Sequence, residues 1–340
     1  MRIALIAAFT LAPACAQFRS TVPLVIAPTT VADRKGHLVD GLTARDLVIY
    51  DNNVPQPIQV DTVIEPISLV VLIEASFGSA AVLDKLGGSG VLFTDMLSAE
   101  AGETAVVSFA DHIRVVQDFT TDGERVTHAV RGLRVEGEGV ALYDGVLEAL
   151  RLLAMRNPSR RRVLLAIAER RDRSSKVDLT TLLHQSQLQN TTIYWLTYST
   201  LLEPYTARPK TKWDRMTDDQ KNDPRRMHSS KIPLPEEEEP LPPDLKPGSL
   251  IDVIVEVAHR TKVDAANLLS QTTGGRTFSF LKQSGLESAI EAVAEEVHRQ
   301  YIVSFQPRPD ATGVYHALHA EVKDRPELRV RTRAGYWSVP

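Results

Sequence analysis

Hydrophobic positions recur along the chain in two rhythms. Ile67 to Ile73 (ISLVVLI), Thr104 to Phe109 (TAVVSF), Val163 to Ala168 (VLLAIA) and Thr192 to Leu196 (TIYWL) are short, unbroken apolar runs. Such runs predict strands covered on both faces, as in the middle of a parallel sheet. Between them, apolar residues return at helical spacing. Helices are predicted over Val82 to Leu97, despite Gly87, Gly88 and Gly90, over Ala141 to Leu153, and over Leu179 to Leu188. Ile113 to Val116 reads as a short edge strand. Helical periodicity resumes with Ile251, Ile254, Val255 and Ala258 and runs on through Ala265, Leu268 and Leu269 to a stop at Thr273-Gly274-Gly275. Arg276 to Phe280 then reads as the last strand and Leu286 to Val297 as an amphipathic helix. Strands alternating with helices imply an α/β fold over residues 66–299, a doubly wound, mostly parallel sheet of Rossmann-like form.

The two ends of the chain carry strand patterns instead. Thr21 to Ala32, Leu47 to Tyr50 and Gln56 to Val63 are separated by turn signals at Asp33-Arg34-Lys35-Gly36 and Asp51-Asn52-Asn53. Gln300 to Phe305, Val314 to Val322 and Leu328 to Thr332 read the same way. Segments 17–65 and 300–340 are therefore expected to form one small β module that brings the chain ends together. Residues 204–247 hold nine of the 20 prolines and the run Glu236 to Glu239. That composition buries too little apolar surface to offset chain entropy, and it predicts a disordered surface insertion.

Composition narrows the function. The 340 residues are 43% hydrophobic and 24% charged, ordinary for a globular chain of about two domains. A net charge of −4 gives no electrostatic footprint for nucleic acid or an anionic membrane. Met1-Arg2, the apolar run Ile3 to Leu11 and the A-x-A signal Ala14-Cys15-Ala16 predict a signal peptide over residues 1–16. That run is too short to span a bilayer, and no later stretch is long and apolar enough. A secreted or periplasmic protein without an integral membrane span is the expectation. Cys15 is the only cysteine, so cleavage after Ala16 leaves no disulfide, thiolate metal site or thiol nucleophile. A lipoprotein would instead keep Cys15 at its N-terminus, but Ala12-Pro13-Ala14 lacks the bulky apolar residue such processing expects.

In an open α/β sheet, ligands bind beyond the C-terminal strand ends where the strand order switches. Three segments fall there: Glu74-Ala75-Ser76-Phe77-Gly78-Ser79, Glu138-Gly139-Val140-Ala141-Leu142 and Glu169-Arg170-Arg171-Asp172. In these the chain resembles the von Willebrand factor A domain. More closely it resembles a bacterial branch of that family, the acidobacterial VWFA-related proteins. The matching segments are VADRKGHLVDGLTARDLVIYDNNVPQPI (residues 31–58), SFADHIRVVQDFTTD (108–122), VALYDGV (140–146), TTGGR (272–276), HRQYIVSFQP (298–307) and VRTRAGYW (330–337). The resemblance implies the family's fold and a metal-ion-dependent adhesion site. That site is built from D-x-S-x-S after the first strand, a loop Thr and a late Asp, and its Mg²⁺ wants six oxygens in near-octahedral order.

The departures from that pattern bear on function. Glu74 stands at the first Asp and Gly78 at the last Ser, while Ser76 is retained. Val140 stands at the loop Thr and Glu169 at the late Asp. Two side-chain oxygens are gone and both carboxylate arms are longer, so the resemblance implies a degenerate site. No cofactor is expected. The alternative is Mg²⁺ or Ca²⁺ held through an altered set of Glu74, Ser76 and Glu169. Ser79 would replace the lost serine if the loop shifts, Asp172 would approach the site, and Arg170 or Arg171 would neutralise the two glutamates in place of the ion. The expected partner-binding face comprises Glu74, Ser76, Ser79, Val140, Glu169 and Arg170. No H-E-x-x-H, G-x-S-x-G or G-K-[ST] pattern supports an enzyme. The expected function is an exported, non-enzymatic protein-binding module with a protein partner at the cell envelope or outside. The alternatives are a divalent-metal-dependent adhesion protein, and a subunit of an envelope enzyme complex or hydrolase using Glu74 and Glu169 as an acid/base pair.

Overall fold

The computed structural model describes residues 24–61, 66–89, 93, 102–198, 264–307 and 313–338. The expected signal peptide, the 204–247 insertion and the helical pattern from Ile251 to Ala258 lie outside the described residues.

One six-stranded sheet forms the centre. Its strands are β5 (Ile67–Glu74), β6 (Glu103–Phe109), β7 (Ile113–Thr120), β8 (Arg161–Ile167), β9 (Thr191–Thr197) and β10 (Thr277–Ser279), in the order β10-β9-β8-β5-β6-β7. All neighbours are parallel except β6 and β7. Every residue of β5, β6 and β9 is buried, which explains their unbroken apolar runs. Along β5 the side chains alternate between two cores. Leu69, Val71 and Ile73 pack with α1 (Ala80–Ser89), α2 (Gly123–Arg131) and α6 (Gln283–Arg299). Val70 and Leu72 pack with α3 (Leu142–Ala154), α4 (Leu179–Leu188) and α5 (Ala265–Thr272). Helices thus cover both faces, as the alternation of patterns predicts. Asp122, Asp178 and Asp264 cap α2, α4 and α5 by accepting first-turn amides.

One strand runs further than its apolar pattern, and one helix holds its glycines. The β7 strand continues past Val116 to Thr120, because backbone pairing with β6 carries the polar Gln117-Asp118 that ends the apolar pattern. Gly87 and Gly88 lie inside α1, where burial of Val82, Leu83 and Leu86 offsets their poor helix propensity.

The chain ends pair as two four-stranded sheets rather than one. The first holds β1 (Val25–Ala32), β4 (Ile58–Asp61), β11 (Tyr301–Phe305) and β13 (Arg329–Arg331) in the order β13-β1-β11-β4. The second holds β2 (Leu47–Asp51), β3 (Val54–Pro55), β12 (Tyr315–Val322) and β14 (Gly335–Trp337) in the order β14-β12-β2-β3. They share a core that includes Val31, Ile49, Val303, Phe305, Leu318 and Tyr336.

Candidate functional site

The chain enters the central sheet at β5, moves to β6 and β7 on one side, then crosses to β8, β9 and β10 on the other. The strand order therefore switches between β5 and β8. Glu74 ends the first of these strands, and Glu169 follows the second by two residues. This crest is where the topology directs attention.

Glu74 is 1% exposed. One carboxylate oxygen, Oε1, accepts from the Ser76 hydroxyl at 2.5 Å, and Oε2 accepts from the Glu169 amide at 2.8 Å. Burial pushes the Glu74 carboxyl above the usual range, against these two hydrogen bonds, which pull it down. Tyr198, just past β9, is buried against the same group. Burial first, then the Glu74 charge, push its phenol well above the ordinary value. Its hydroxyl lies beside Glu74 and Ser79 yet has no hydrogen bond of good geometry. Ser79 is fully buried and donates to the Ser76 carbonyl at 2.8 Å.

The second acid is neutralised locally. Glu169 Oε2 accepts from Arg173 Nη2 at 2.8 Å. The guanidinium beside Glu169 is thus neither Arg170 nor Arg171. Arg170 pairs with Asp264 and donates to the Ser279 hydroxyl, tying the crest to α5 and β10. The i,i+4 spacing of Glu169 and Arg173 was the available signal for this pair. Asp172 spends its carboxylate on the start of α3 rather than on a bond to either glutamate. Its Oδ1 accepts from the amide of Leu142 at 2.9 Å and from the Ser175 hydroxyl at 2.5 Å, which caps α3. Asp144 on α3 returns the clamp by accepting the amides of Lys176 and Val177.

The third segment closes over Asp111, which follows β6. Its carboxylate accepts from the amides of Glu138 at 3.0 Å and Gly139 at 2.9 Å. Both loop glycines are needed for this wrap. A Cβ on Gly137 would lie 2.0 Å from one Asp111 oxygen, and one on Gly139 would lie 2.2 Å from the other. The loop also exchanges backbone bonds with the segment after β5, from Phe77 N to the Gly137 carbonyl and from Glu136 N to the Ala75 carbonyl, each 2.8 Å. Val140 turns away from the crest. Its side chain is fully buried in the core under α3, and its carbonyl accepts from the amides of Arg173 and Ser174.

The structure therefore brings Glu74, Ser76, Ser79 and Glu169 together, but as a closed, buried cluster, with Val140 in the core below. Of the expected partner-binding face, Arg170 alone faces solvent. Phe77 is 72% exposed, and Arg171, Arg173 and Glu138 in the adjoining segments are exposed as well. An aromatic side chain in open water gives no signal in the sequence pattern, because apolar residues are read as core. Among the described residues, no group of three or more His, Cys, Asp or Glu side chains is arranged to hold a metal ion.

No protein-family model matches the chain, and no curated protein matches it. It is similar to solved structures of von Willebrand A type. A von Willebrand factor type A protein from Catenulispora acidiphila is 11% identical, over 95% of this chain and 75% of that one, with a TM-score of 0.46. The von Willebrand factor domain of a type V pili tip protein from Porphyromonas gingivalis is 13% identical, over 74% and 99% of the two chains, with a TM-score of 0.41. An aerotolerance-related membrane protein from Bacteroides fragilis is 11% identical, over 68% and 98%, with a TM-score of 0.41.

Proposed function

We propose that this is an exported, non-enzymatic, von Willebrand A-like module that binds a protein partner through the crest of its sheet without a metal ion. The observation that carries this reading is the closure of Glu74. Both of its oxygens are engaged by Ser76 and the Glu169 amide, and the Glu169 carboxylate is engaged by Arg173. A six-coordinate divalent ion needs a converging set of free oxygens. The residues present do not fit that requirement. Gly78 has no side chain, Val140 is core, Asp172 caps a helix, and the Arg173 guanidinium already supplies the positive charge beside Glu169. The same closure argues against an acid/base pair, since Glu74 at 1% exposure offers a substrate no contact.

Partner contact then falls to the exposed rim. Phe77 supplies the apolar anchor, and the arginines of the 170–173 loop supply polar contacts around it. Burying a side chain of this kind contributes about 1.5–3 kcal/mol, and aromatic and arginine side chains are the usual anchors of an interface. The test has two arms. Calorimetric titration of the purified chain with Mg²⁺ and with Ca²⁺ is expected to show no binding heat. Capture of a partner from envelope extract is expected to survive chelator and to fall at least tenfold in Phe77→Ala. A saturable heat with either ion, or a partner lost on chelation, refutes the proposal.

A further inference from the structure

The opposite end of the sheet carries the complementary charge. At the N-terminal ends of β8 and β9, a cavity of about 30 Å³ is lined by Arg160, Arg161, Arg162 and Asn190, with Ile26 and Pro28 of β1 closing it from the β module. One water needs roughly 10–15 Å³ of such space. The cavity is therefore large enough for a compact polyatomic ion and too enclosed for an extended ligand.

Its charge balance is one-sided. One carboxylate, Glu103, is shared between Arg156 and Arg160. Among the described residues, no carboxylate pairs with Arg162. Among the described residues its Nη atoms donate to the carbonyls of Gln189, Ala154 and Arg156, and its buried Nε has no partner. Burial without a countercharge holds this guanidinium below its usual range. Arg333 adds a second such group. It is buried, and it donates to the carbonyls of Gln187 and Gly335 and to Asn190 Oδ1 at 2.6 Å, again with no carboxylate among the described residues. Burial lowers it to about 10. Asn190 thus stands between the cavity and a second uncompensated cation. A buried cation left without a countercharge is costly, and guanidinium groups pair best with planar or tetrahedral oxoanions.

We propose that this cavity binds one free, small oxoanion of the phosphate or sulfate class, held by Arg162 and its neighbours between β1 and the base of the central sheet. The bound ion supplies a countercharge to Arg162 that no described residue supplies, and it adds a tie between the β module and the α/β domain.

The probe is inorganic phosphate, titrated into the full chain against chloride at equal ionic strength. Thermal melts are expected to show a saturable rise in melting temperature with phosphate that chloride does not reproduce, and calorimetry is expected to show one site per chain. Arg162→Gln should weaken phosphate binding at least tenfold. Arg162 also ties down three carbonyls, so a second variant guards against misfolding. Asn190→Asp keeps the acceptor for Arg333, suits the positive φ of 49° at this position, and builds a permanent carboxylate into the cavity wall. It should melt at least as high as the wild type and lose the phosphate response. A phosphate shift no larger than that of chloride overturns the proposal, and so does a phosphate response unchanged in Asn190→Asp.

Discussion

Loss of Glu296 should cost this fold substantially, because one carboxylate serves several elements. Glu296 lies on α6 and is buried. Its Oε1 accepts from Tyr194 on β9 at 2.8 Å and from Thr30 on β1 at 3.3 Å, and it pairs with Arg331 on β13. Gln300 backs the cluster by donating to the Tyr194 and Thr30 hydroxyls at 3.0 and 3.1 Å. One carboxylate therefore joins both faces of the boundary between the β module and the α/β domain. Removing one partner of a buried ion pair costs about 3–5 kcal/mol. The Arg331 side chain is 30% exposed and also donates to the Gly274 carbonyl, so its charge keeps a partner and regains some water when Glu296 is removed. That places Glu296→Ala near the lower end, about 3 kcal/mol. At roughly 2 °C per kcal/mol for a long chain, the melting temperature should fall by about 6 °C. Tryptophan fluorescence reads both sides of the boundary. Trp195 is fully buried in the α/β core, and Trp337 of the β module packs edge-on against His184 of α4 at 4.9 Å. Glu296→Gln keeps the shape and one acceptor and should recover part of the loss. In a cycle with Arg331→Ala, the double variant should lose less than the two single losses added together, because both single variants remove the same ion pair. Additive losses, or a drop below about 2 °C for Glu296→Ala, would refute the assignment.

Two further outcomes follow from the crest. Burial raises the Glu74 carboxyl above its ordinary 4.5, so the folded chain holds that proton more tightly than the unfolded chain does. This contribution to stability is complete below about pH 4.5 and is lost as pH rises through the folded value. Relative to the wild type, Glu74→Gln should therefore gain stability between pH 4 and pH 8 in urea unfolding, and parallel pH profiles would contradict the burial argument. Gly137→Ala forces a Cβ to within 2.0 Å of Asp111 Oδ2 and must displace either that carboxylate or the loop, breaking the wrap. We expect a loss of about 1–3 kcal/mol with faster amide exchange at Glu138 and Gly139, and a melt like the wild type's would show that the wrap around Asp111 is loose.

The central sheet was legible because burial on both faces leaves a mark in one dimension. ISLVVLI and VLLAIA have no polar position to spare, and they became neighbouring strands β5 and β8. The pairing of the chain ends was legible for the same reason, since strand patterns at both termini had nothing else to pair with. What stayed hidden depends on direction. Glu74, Ser76 and Glu169 were legible as a cluster because the topology brings strand ends together. Nothing in their order says whether the carboxylates point outward or are closed by a neighbouring amide. Arg170 and Arg173 are chemically alike and three residues apart. Only the course of the loop, fixed by the Asp172 cap and the Asp144 clamp, sends one to Asp264 and the other to Glu169. Val140 lost an oxygen relative to the pattern it resembles, and its apolar side chain joined the core, which is where the hydrophobic effect sends it.

The closure at the crest and the charge excess at the base follow from one constraint. A buried ionised group must find a countercharge, a set of hydrogen bonds or a proton. At the crest Glu74 reaches the Glu169 amide and the Ser76 hydroxyl, so both carboxylate oxygens are hydrogen-bonded within the chain. At the base, Arg162 reaches only carbonyl oxygens, which lower its cost without cancelling its charge. At the end of the sheet that resembles a cation site, the carboxylates thus find their hydrogen bonds and a guanidinium among their own neighbours. The end with no such resemblance still has a charge to be answered, and it is there that added ions should change the stability of this protein.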